Sequence, residues 1–293
     1  MKLSDKSLPF FLLLPSIIII VSLVIYPTAF AYYVSLTKYD LTNPEQGMIF
    51  VGPENYIRII QDTRFQNALI RSITFSSLSV ILSFVMGLVT ALVVNQEIKG
   101  GGFFKTIFLV PWVLAPVLIG YGFKLNLNYN IGVVNDILEL LGIGRIAFFG
   151  YPDLSLITII LIDVWQWFPF MMLVILAGLE ALPREPFEAA QIDGASAIQR
   201  FRYITFPLIR PIVLIVILIR VMDAFKEYDK IMVTTAGGPG YATETLSLLI
   251  AKVGFQQFNI GYASAMAIVT IIFIIFVSWV YMKAAGGILR GGR

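Results

Sequence analysis

The chain has 293 residues, of which 58% are hydrophobic and only 13% charged, and its formal net charge is +3. Soluble globular domains contain roughly 45–50% apolar residues, so this composition indicates an integral membrane protein. Cysteine and histidine are both absent. Their absence excludes disulfides, zinc and haem sites, and nucleophile–histidine pairs, so we expect neither a metal site nor a catalytic residue in this chain.

Six apolar stretches are long enough to cross a bilayer, which requires about 20 residues in a helix. They lie near residues 8–37, 69–95, 103–123, 154–179, 209–233 and 261–282. The connections between them contain no linker, low-complexity block or convincing repeat. The sequence therefore predicts an all-α, polytopic membrane protein with six transmembrane helices in a single domain over residues 1–293.

An even number of spans places both termini on the same side of the membrane. Basic residues favour the cytoplasmic side, and they are denser in the terminal segments and in the connections 96–102 and 180–208 than in the other connections. We therefore expect cytoplasmic termini, with Lys2 and Lys6 just before the first span. That span exceeds the 7–15-residue core of a signal peptide, so we expect it to be retained as an anchor.

The connection between the fourth and fifth spans contains a short polar helix, predicted near residues 184–196. Pro186 suits its first turn, where a missing N–H costs nothing, and Gly194 marks its end. Acidic residues lie where the helix dipole favours negative charge, and small residues in the middle allow another surface to approach closely. These residues are Glu185, Glu188, Ala189 and Ala190. A helix lying on lipid headgroups would instead need a broad apolar face and a lysine-rich polar face.

This polar segment resembles the EAA motif in the membrane permease subunits of binding-protein-dependent ABC importers. The matching residues are Glu188-Ala189-Ala190, Asp193-Gly194-Ala195, Phe201, Ile204, Pro207 and Pro211. Other motifs resemble the carbohydrate-uptake branch, and in particular its F-type maltose and glycerol-phosphate permease half. They are Val51-Gly52-Pro53-Glu54-Asn55-Tyr56, Gly87-Leu88, Ala91-Leu92, Pro111-Trp112, Trp165, Thr235-Ala236-Gly237-Gly238-Pro239 and Gly261-Tyr262-Ala263-Ser264-Ala265.

The resemblance implies a type I, MetI-like permease fold in a prokaryotic inner membrane. The chain would move a sugar or sugar derivative by alternating access, together with a second permease subunit, two ATPase subunits and an extracytoplasmic binding protein. It would hold no cofactor itself, because ATP and magnesium would be bound by the ATPase subunits. The EAA segment would be a coupling helix that sits in a cleft of one ATPase. The coupling residues would be Glu188, Ala189, Ala190, Asp193, Gly194 and Ala195.

The stretch from Lys99 to Thr106 superficially resembles a phosphate-binding loop because it contains three glycines and a second lysine. That loop requires glycine directly before its lysine, and Phe104 stands there instead. The glycines are more typical of a tight turn between the second and third spans. We therefore expect no nucleotide site in this chain.

Charged residues within the fourth and fifth predicted spans are costly there and mark candidate functional sites. Spacings of three and four place Arg220, Asp223 and Glu227 on one helical face. Two interpretations stay open: an internal ladder of ion pairs, or a sugar-binding cavity with polar groups beside aromatic faces. The candidate substrate-binding residues are Asp163, Trp165, Gln166, Arg220, Asp223, Lys226, Glu227 and Tyr228. Arg220 and Lys226 would suit an anionic sugar unless arginine–aspartate pairing neutralises the site.

Two other functional classes could use the acidic residues. An ion-driven secondary carrier could couple through them, although it would not need the EAA segment. An intramembrane aspartyl protease could share a proton between Asp163 and Asp223, but neither residue lies in a Gly-x-Gly-Asp element.

Overall fold

The computed structural model describes residues 8–96 and 101–290, and most of their regular structure is helical. In chain order the α-helices are α1 (Leu8–Ile20), α2 (Tyr26–Ser35), α3 (Glu54–Gln61), α4 (Thr63–Val94), α5 (Gly101–Val113), α6 (Pro116–Asn126), α7 (Val133–Leu140), α8 (Pro152–Glu180), α9 (Glu185–Ile192), α10 (Ala197–Arg200), α11 (Phe206–Ala224), α12 (Asp229–Thr234), α13 (Leu246–Ala251) and α14 (Ile260–Arg290). Single π-helical turns follow α1, α10 and α13, at Val21–Ile25, Phe201–Thr205 and Lys252–Gln256. A 3-10 turn, Pro44–Gln46, lies between two short antiparallel strands, β1 (Thr37–Lys38) and β2 (Ile49–Phe50), in which Thr37 faces Phe50.

Five helical segments are long and apolar enough to cross a membrane. They are Leu12–Ser35, Thr63–Val94, Pro152–Glu180, Ala197–Ala224 and Ile260–Ala284. A sixth candidate, the predicted span 103–123, is interrupted at Leu114 and Ala115, where α5 and α6 bend by 96°. Pro116 explains the interruption, because a proline disfavours helical backbone at the residue before it. The predicted all-α fold is confirmed, with one of its six spans broken.

The fifth span departs from its predicted bounds of 209–233. Its helix begins earlier, at Ala197, and ends at Ala224, after which the chain turns and α12 starts at Asp229. The interruption falls on a run of polar residues, Lys226 to Tyr228, and not on a proline or glycine. Backbone carbonyls freed by such a break must be satisfied where water is absent. Ser247 Oγ donates to Phe225 O at 3.0 Å, and Thr245 Oγ1 donates to Glu227 O at 3.2 Å.

Some of the residues used for the sequence prediction fall outside the described ranges. They are Lys2, Lys6, Lys99 and Gly100. The cytoplasmic position of the termini and the single-domain description both stay predictions.

The chain divides into two compact units: Met1–Gln66 with Leu249–Phe273, and Asn67–Leu248 with Ile274–Arg293. In the first unit, two of the motifs found in the sequence pack on β1. Asn55 is buried and donates to Ser35 O and Thr37 O, both at 2.9 Å. Gly261 approaches Thr37 O so closely that a side chain there would collide with it.

The core of the second unit is formed mainly by α4, α8 and α11. Met171, Met172 and Ile175 of α8 are completely buried in it. At Gly87 of α4, an added Cβ would lie 2.5 Å from the Met171 side chain and 2.9 Å from the Met172 nitrogen. Glycine is therefore required for the close packing of α4 on α8, the two helices that carry part of the polar site described below.

Candidate coupling segment and buried ion network

The predicted coupling helix is α9, and a fixed turn ends it. Gly194 has a φ of +74°, a left-handed conformation that glycine adopts without strain. The N–H of Ala195 donates to Ala190 O at 2.9 Å, and the N–H of Gly194 donates to Gln191 O at 3.1 Å. This pair of hydrogen bonds is a Schellman motif, which satisfies the last carbonyls of the helix.

Four residues separate the end of α9 at Ile192 from the start of the next helix, α10, at Ala197, and α10 is capped as well. The Ser196 side chain accepts a hydrogen bond from the Gln199 N–H, and the Gln199 side chain accepts one from the Ser196 N–H. Such a capping box fixes the direction in which the helix starts. The turn between α9 and α10 therefore has a defined shape without help from another chain.

The outer surface of this coupling segment, residues 184–200, is exposed. Ile192 is 87% exposed and Ile198 78%. A Cβ added at Gly194 would meet no atom within 4 Å. Among the described residues, neither Glu188 nor Asp193 has an ion-pair partner. Exposed isoleucines beside unpaired charges are typical of a surface that contacts another protein.

The predicted coupling residues form one continuous, mostly exposed surface. Glu188, Ala189, Asp193 and Gly194 are exposed, whereas Ala190 and Ala195, which the Schellman motif joins by a hydrogen bond, are half-buried. Their action on an ATPase stays a prediction.

A second polar region of the same unit is completely buried. Asp163 of α8 and Arg220 of α11 form an ion pair with no exposed side-chain surface. Ser79 of α4 donates to Asp163 and accepts a hydrogen bond from Arg220 Nη2 at 2.8 Å. Arg220 Nη1 lies 3.2 Å from Asp223 Oδ2, and the guanidinium lies 4.7 Å from the centre of the Trp167 ring. That distance allows a cation–π contact.

Lys230 of α12 joins this network from the other side and is fully buried. Its Nζ lies 2.6 Å from Glu227 Oε2 and 2.9 Å from Asp163 Oδ1, and it donates to Gln166 Oε1 at 2.7 Å. Buried ions are costly unless they are paired and hydrogen-bonded. Here both buried cations face carboxylates, so the network holds α4, α8, α11 and α12 together.

Four of the eight candidate substrate residues are buried members of this network. They are Asp163, Gln166, Arg220 and Glu227. Arg220 already contacts two aspartates, so it gives no support for an anionic sugar. The prediction that Glu227 shares a helical face with Arg220 is wrong. Since α11 ends at Ala224, Glu227 reaches the network only because the chain turns there.

The other four candidates have accessible surface, and one of them, Asp223, also pairs with Arg220. They are Trp165, Asp223, Lys226 and Tyr228. The Trp165 ring packs edge-on against Phe123, with centroids 5.3 Å apart. Both rings line an apolar cavity of about 420 Å³ that also contains Asn126. The Asn126 amide donates to Gly122 O at 2.8 Å. Aromatic surface and an amide therefore occur together at this cavity.

Sequence reasoning missed two members of the network, Ser79 and Lys230. Lys230 stands three residues after Glu227 and continues the spacing that singled out its neighbours, so it could have been found. Ser79 gave no signal, because α4 contains several serines that look alike in the sequence.

Comparison with known proteins gives one family. The model described as "Binding-protein-dependent transport system inner membrane component" matches residues 83–283. That range contains the coupling segment and every member of the ion network except Ser79.

Similar proteins cover almost the whole chain. The trehalose/maltose transport system permease protein MalF of Thermococcus litoralis is 35% identical over 97% of this chain and 95% of its own length. The sulfoquinovosyl glycerol transport system permease protein SmoG of Agrobacterium fabrum is 33% identical over 97% and 92%. A chain in the crystal structure of a bacterial ABC transporter involved in the import of the acidic polysaccharide alginate superposes with a TM-score of 0.84, at 23% identity over 96% of both chains. The last likeness shows a shared fold.

Proposed function

The chain belongs to the family of binding-protein-dependent transport system inner membrane components, as its EAA motif predicted, and from that premise we propose that it carries a sugar or sugar derivative across the membrane. It is a multi-pass permease subunit of an ABC importer. The sugar class is supported by relatives named for trehalose, maltose and sulfoquinovosyl glycerol transport. The observation that carries the ATP-driven mechanism is the capped and exposed coupling segment.

In this proposal the coupling segment transmits movement from an ATPase. Its shape is fixed internally by the Schellman motif at Gly194 and the capping box at Ser196. Ile192 and Ile198 lie on either side of the turn and would enter an apolar cleft of the partner. A turn that is both rigid and closely docked transmits displacement without slack. The segment and both termini would then lie on the cytoplasmic side of a prokaryotic inner membrane.

ATP and magnesium would be bound by two ATPase subunits and not by this chain. Lys105, the residue that resembled the lysine of a phosphate loop, lies within α5 and pairs with Glu180 at 2.6 Å. The remaining partners in the proposal are a second permease subunit and an extracytoplasmic binding protein. Closure of the ATPases would open the pathway outward, and hydrolysis would reset it inward.

The substrate would contact the accessible candidate residues and not the buried members of the network. Trp165 and Tyr228 offer aromatic faces, and Asp223 and Lys226 offer hydrogen-bonding groups. Aromatic faces flanked by polar groups suit a sugar. Because Arg220 is neutralised by aspartates, a neutral sugar fits this set better than an anionic one.

The two rival functions find less support. An ion-driven carrier needs a carboxylate that can take up a proton or sodium ion, whereas Asp163 and Glu227 are each held by Lys230. An aspartyl protease needs two carboxylates that share a proton. Asp163 and Asp223 instead contact different nitrogens of the Arg220 guanidinium.

Uptake in reconstituted vesicles tests the proposal. The chain is purified with its co-eluting partners, placed in proteoliposomes with its binding protein, and supplied with labelled trehalose, maltose and other sugars. We expect uptake of at least one sugar that requires enclosed ATP and continues when ionophores dissipate all ion gradients. Uptake that persists without ATP and stops with the gradient would replace the importer with an ion-driven carrier.

A further inference from the structure

The second unit contains two breaks in its helices. One interrupts the third span at Leu114 and Ala115, between α5 and α6, and the other follows the end of the fifth span at Ala224, before α12 begins at Asp229. A short helix, α6 or α12, follows each break. Interrupted helices of this kind need side chains that satisfy the freed backbone and fix the two halves.

One side chain, Gln166 of α8, contacts the first break and the helix that follows the second. Its Nε2 donates to Leu114 O at 3.1 Å, and its Oε1 accepts from Lys230 Nζ at 2.7 Å. Gln166 is 2% exposed, so water does not compete for these bonds. A primary amide suits this position because it presents a donor on one side and an acceptor on the other.

Lys230 is itself fixed to the break that follows the fifth span. The Glu227 carboxylate accepts the Lys230 N–H at 3.0 Å and lies 2.6 Å from its Nζ. Glu227 is part of the break, and Lys230 is in the first turn of α12. The hydrogen bond that Lys230 donates to Gln166 therefore connects α8 to the first turn of α12 and, through Glu227, to the break before it.

The two short helices also touch one another. A Cβ added at Gly120 of α6 would meet the Val233 side chain and would lie 3.2 Å from the Lys230 Cα. Lys124 of α6 donates to Val233 O at 2.9 Å. These contacts align α6 with α12. The ion pair of Lys230 with Asp163 attaches α12 to α8, and the Phe123 ring of α6 packs on Trp165 of α8, whereas Gln166 holds the Leu114 carbonyl at the break itself.

We propose that Gln166 is a positioning residue that ties the break between α5 and α6 to α8 and to Lys230 of α12, so that α6 moves with α8 and α12 as one body during transport. This inference rests on the proposed function, because it concerns the movement that an importer makes. Without the amide, α12 would stay attached to α8, but the break at Leu114 would lose its link to α8 and α6 would rotate about that break. The ion network would remain, since Lys230 still faces Asp163 and Glu227.

The test uses Gln166→Met, which keeps the length of the side chain and removes both hydrogen bonds without leaving a charge unpaired. Gln66→Met is the matched control. Gln66 also donates its amide to a backbone carbonyl, Ile60 O at 2.8 Å, but it is exposed and contacts no break. Gln166→Asn is a milder second variant, because its amide is too short to reach both partners.

Two cysteines are introduced, one at Leu125 in α6 and one at Val174 in α8, since the chain has no cysteine of its own. Spin labels on them measure the distance between α6 and α8. In the assembled wild-type complex we expect one narrow distance that is the same without nucleotide and with trapped ATP. In Gln166→Met and Gln166→Asn we expect a second, longer distance and about tenfold slower uptake, the effect of one lost buried hydrogen-bond link. Gln66→Met should match the wild type.

A single unchanged distance in Gln166→Asn, with full uptake, would overturn the proposal even if Gln166→Met failed to assemble. A wild-type distance that changes when ATP is trapped would overturn it as well, because α6 would then move relative to α8. If the distances behave as expected but the wild-type complex shows no ATP-driven sugar uptake, the proposed function fails and the positioning role stands.

Discussion

The coupling segment and the buried ion network are both short polar regions in an apolar chain, but their charges are treated in opposite ways. In the network, Arg220 and Lys230 are fully buried and face carboxylates at close range. In the coupling segment, Glu188 and Asp193 are exposed, and no described residue pairs with them. The first arrangement satisfies charges within the chain. The second leaves them available to another chain.

This difference teaches that the position of a charge in the sequence does not reveal its role, whereas its partners do. Both regions interrupt apolar runs and both contain charged residues three positions apart. Internal partners indicate a structural role, because a buried pair loses its stability when either member is removed. Exposed apolar side chains next to unpaired charges indicate an interface.

The largest expected effect is the loss of a cation from the network. Arg220→Met leaves Asp163 without its arginine, and breaking a buried pair in this way costs about 3–5 kcal/mol of folding free energy. Thermal unfolding of the purified chain in detergent measures the loss. Lys105→Met, which breaks the exposed pair with Glu180, is the control and should cost no more than about 1 kcal/mol. Equal losses of folding free energy in the two variants would contradict the distinction between buried and exposed charges.

The next effect concerns the exposed region and should leave stability intact. Gly194→Asp places a charge on the open side of the turn. We expect normal membrane insertion, but we expect uptake to fall more than about tenfold because an unpaired charge is costly in a docked interface. Gly142→Asp is closely matched, because Gly142 has a φ of +75° and likewise has no atom within 4 Å of an added Cβ. Aspartate tolerates this conformation better than most residues do. Normal uptake by Gly194→Asp would remove the coupling segment from the mechanism.

A smaller effect is expected at the accessible substrate candidates. Trp165→Ala removes an aromatic face that is 38% exposed, and we expect the KM for the sugar to rise by roughly 3–10-fold with little change in stability. Transport rates measured over a range of sugar concentrations give the KM. A lower melting temperature with an unchanged KM would instead show that Trp165 stabilises the fold by packing on Phe123.

The sequence predicted the features that depend on local chemistry. Apolar run lengths located the spans, and Pro186 and Gly194 placed both ends of α9 to within a residue or two. It did not predict the break after Ala224, because no proline or glycine marks it and the helix propensity of the segment is ordinary. The prediction of the ion network was incomplete for the same reason. Spacing on an assumed continuous helix cannot show that a turn brings Lys230 back toward α8.

Photo-crosslinking tests the central claim, that the coupling segment docks on an ATPase, most directly. A benzophenone amino acid is placed at Ile192 or at Leu140 of α7, which are both 87% exposed and both apolar. The account predicts an adduct with an ATPase subunit from position 192 and none from position 140. An ATPase adduct from both positions, or from neither in a complex that transports sugar, would contradict it.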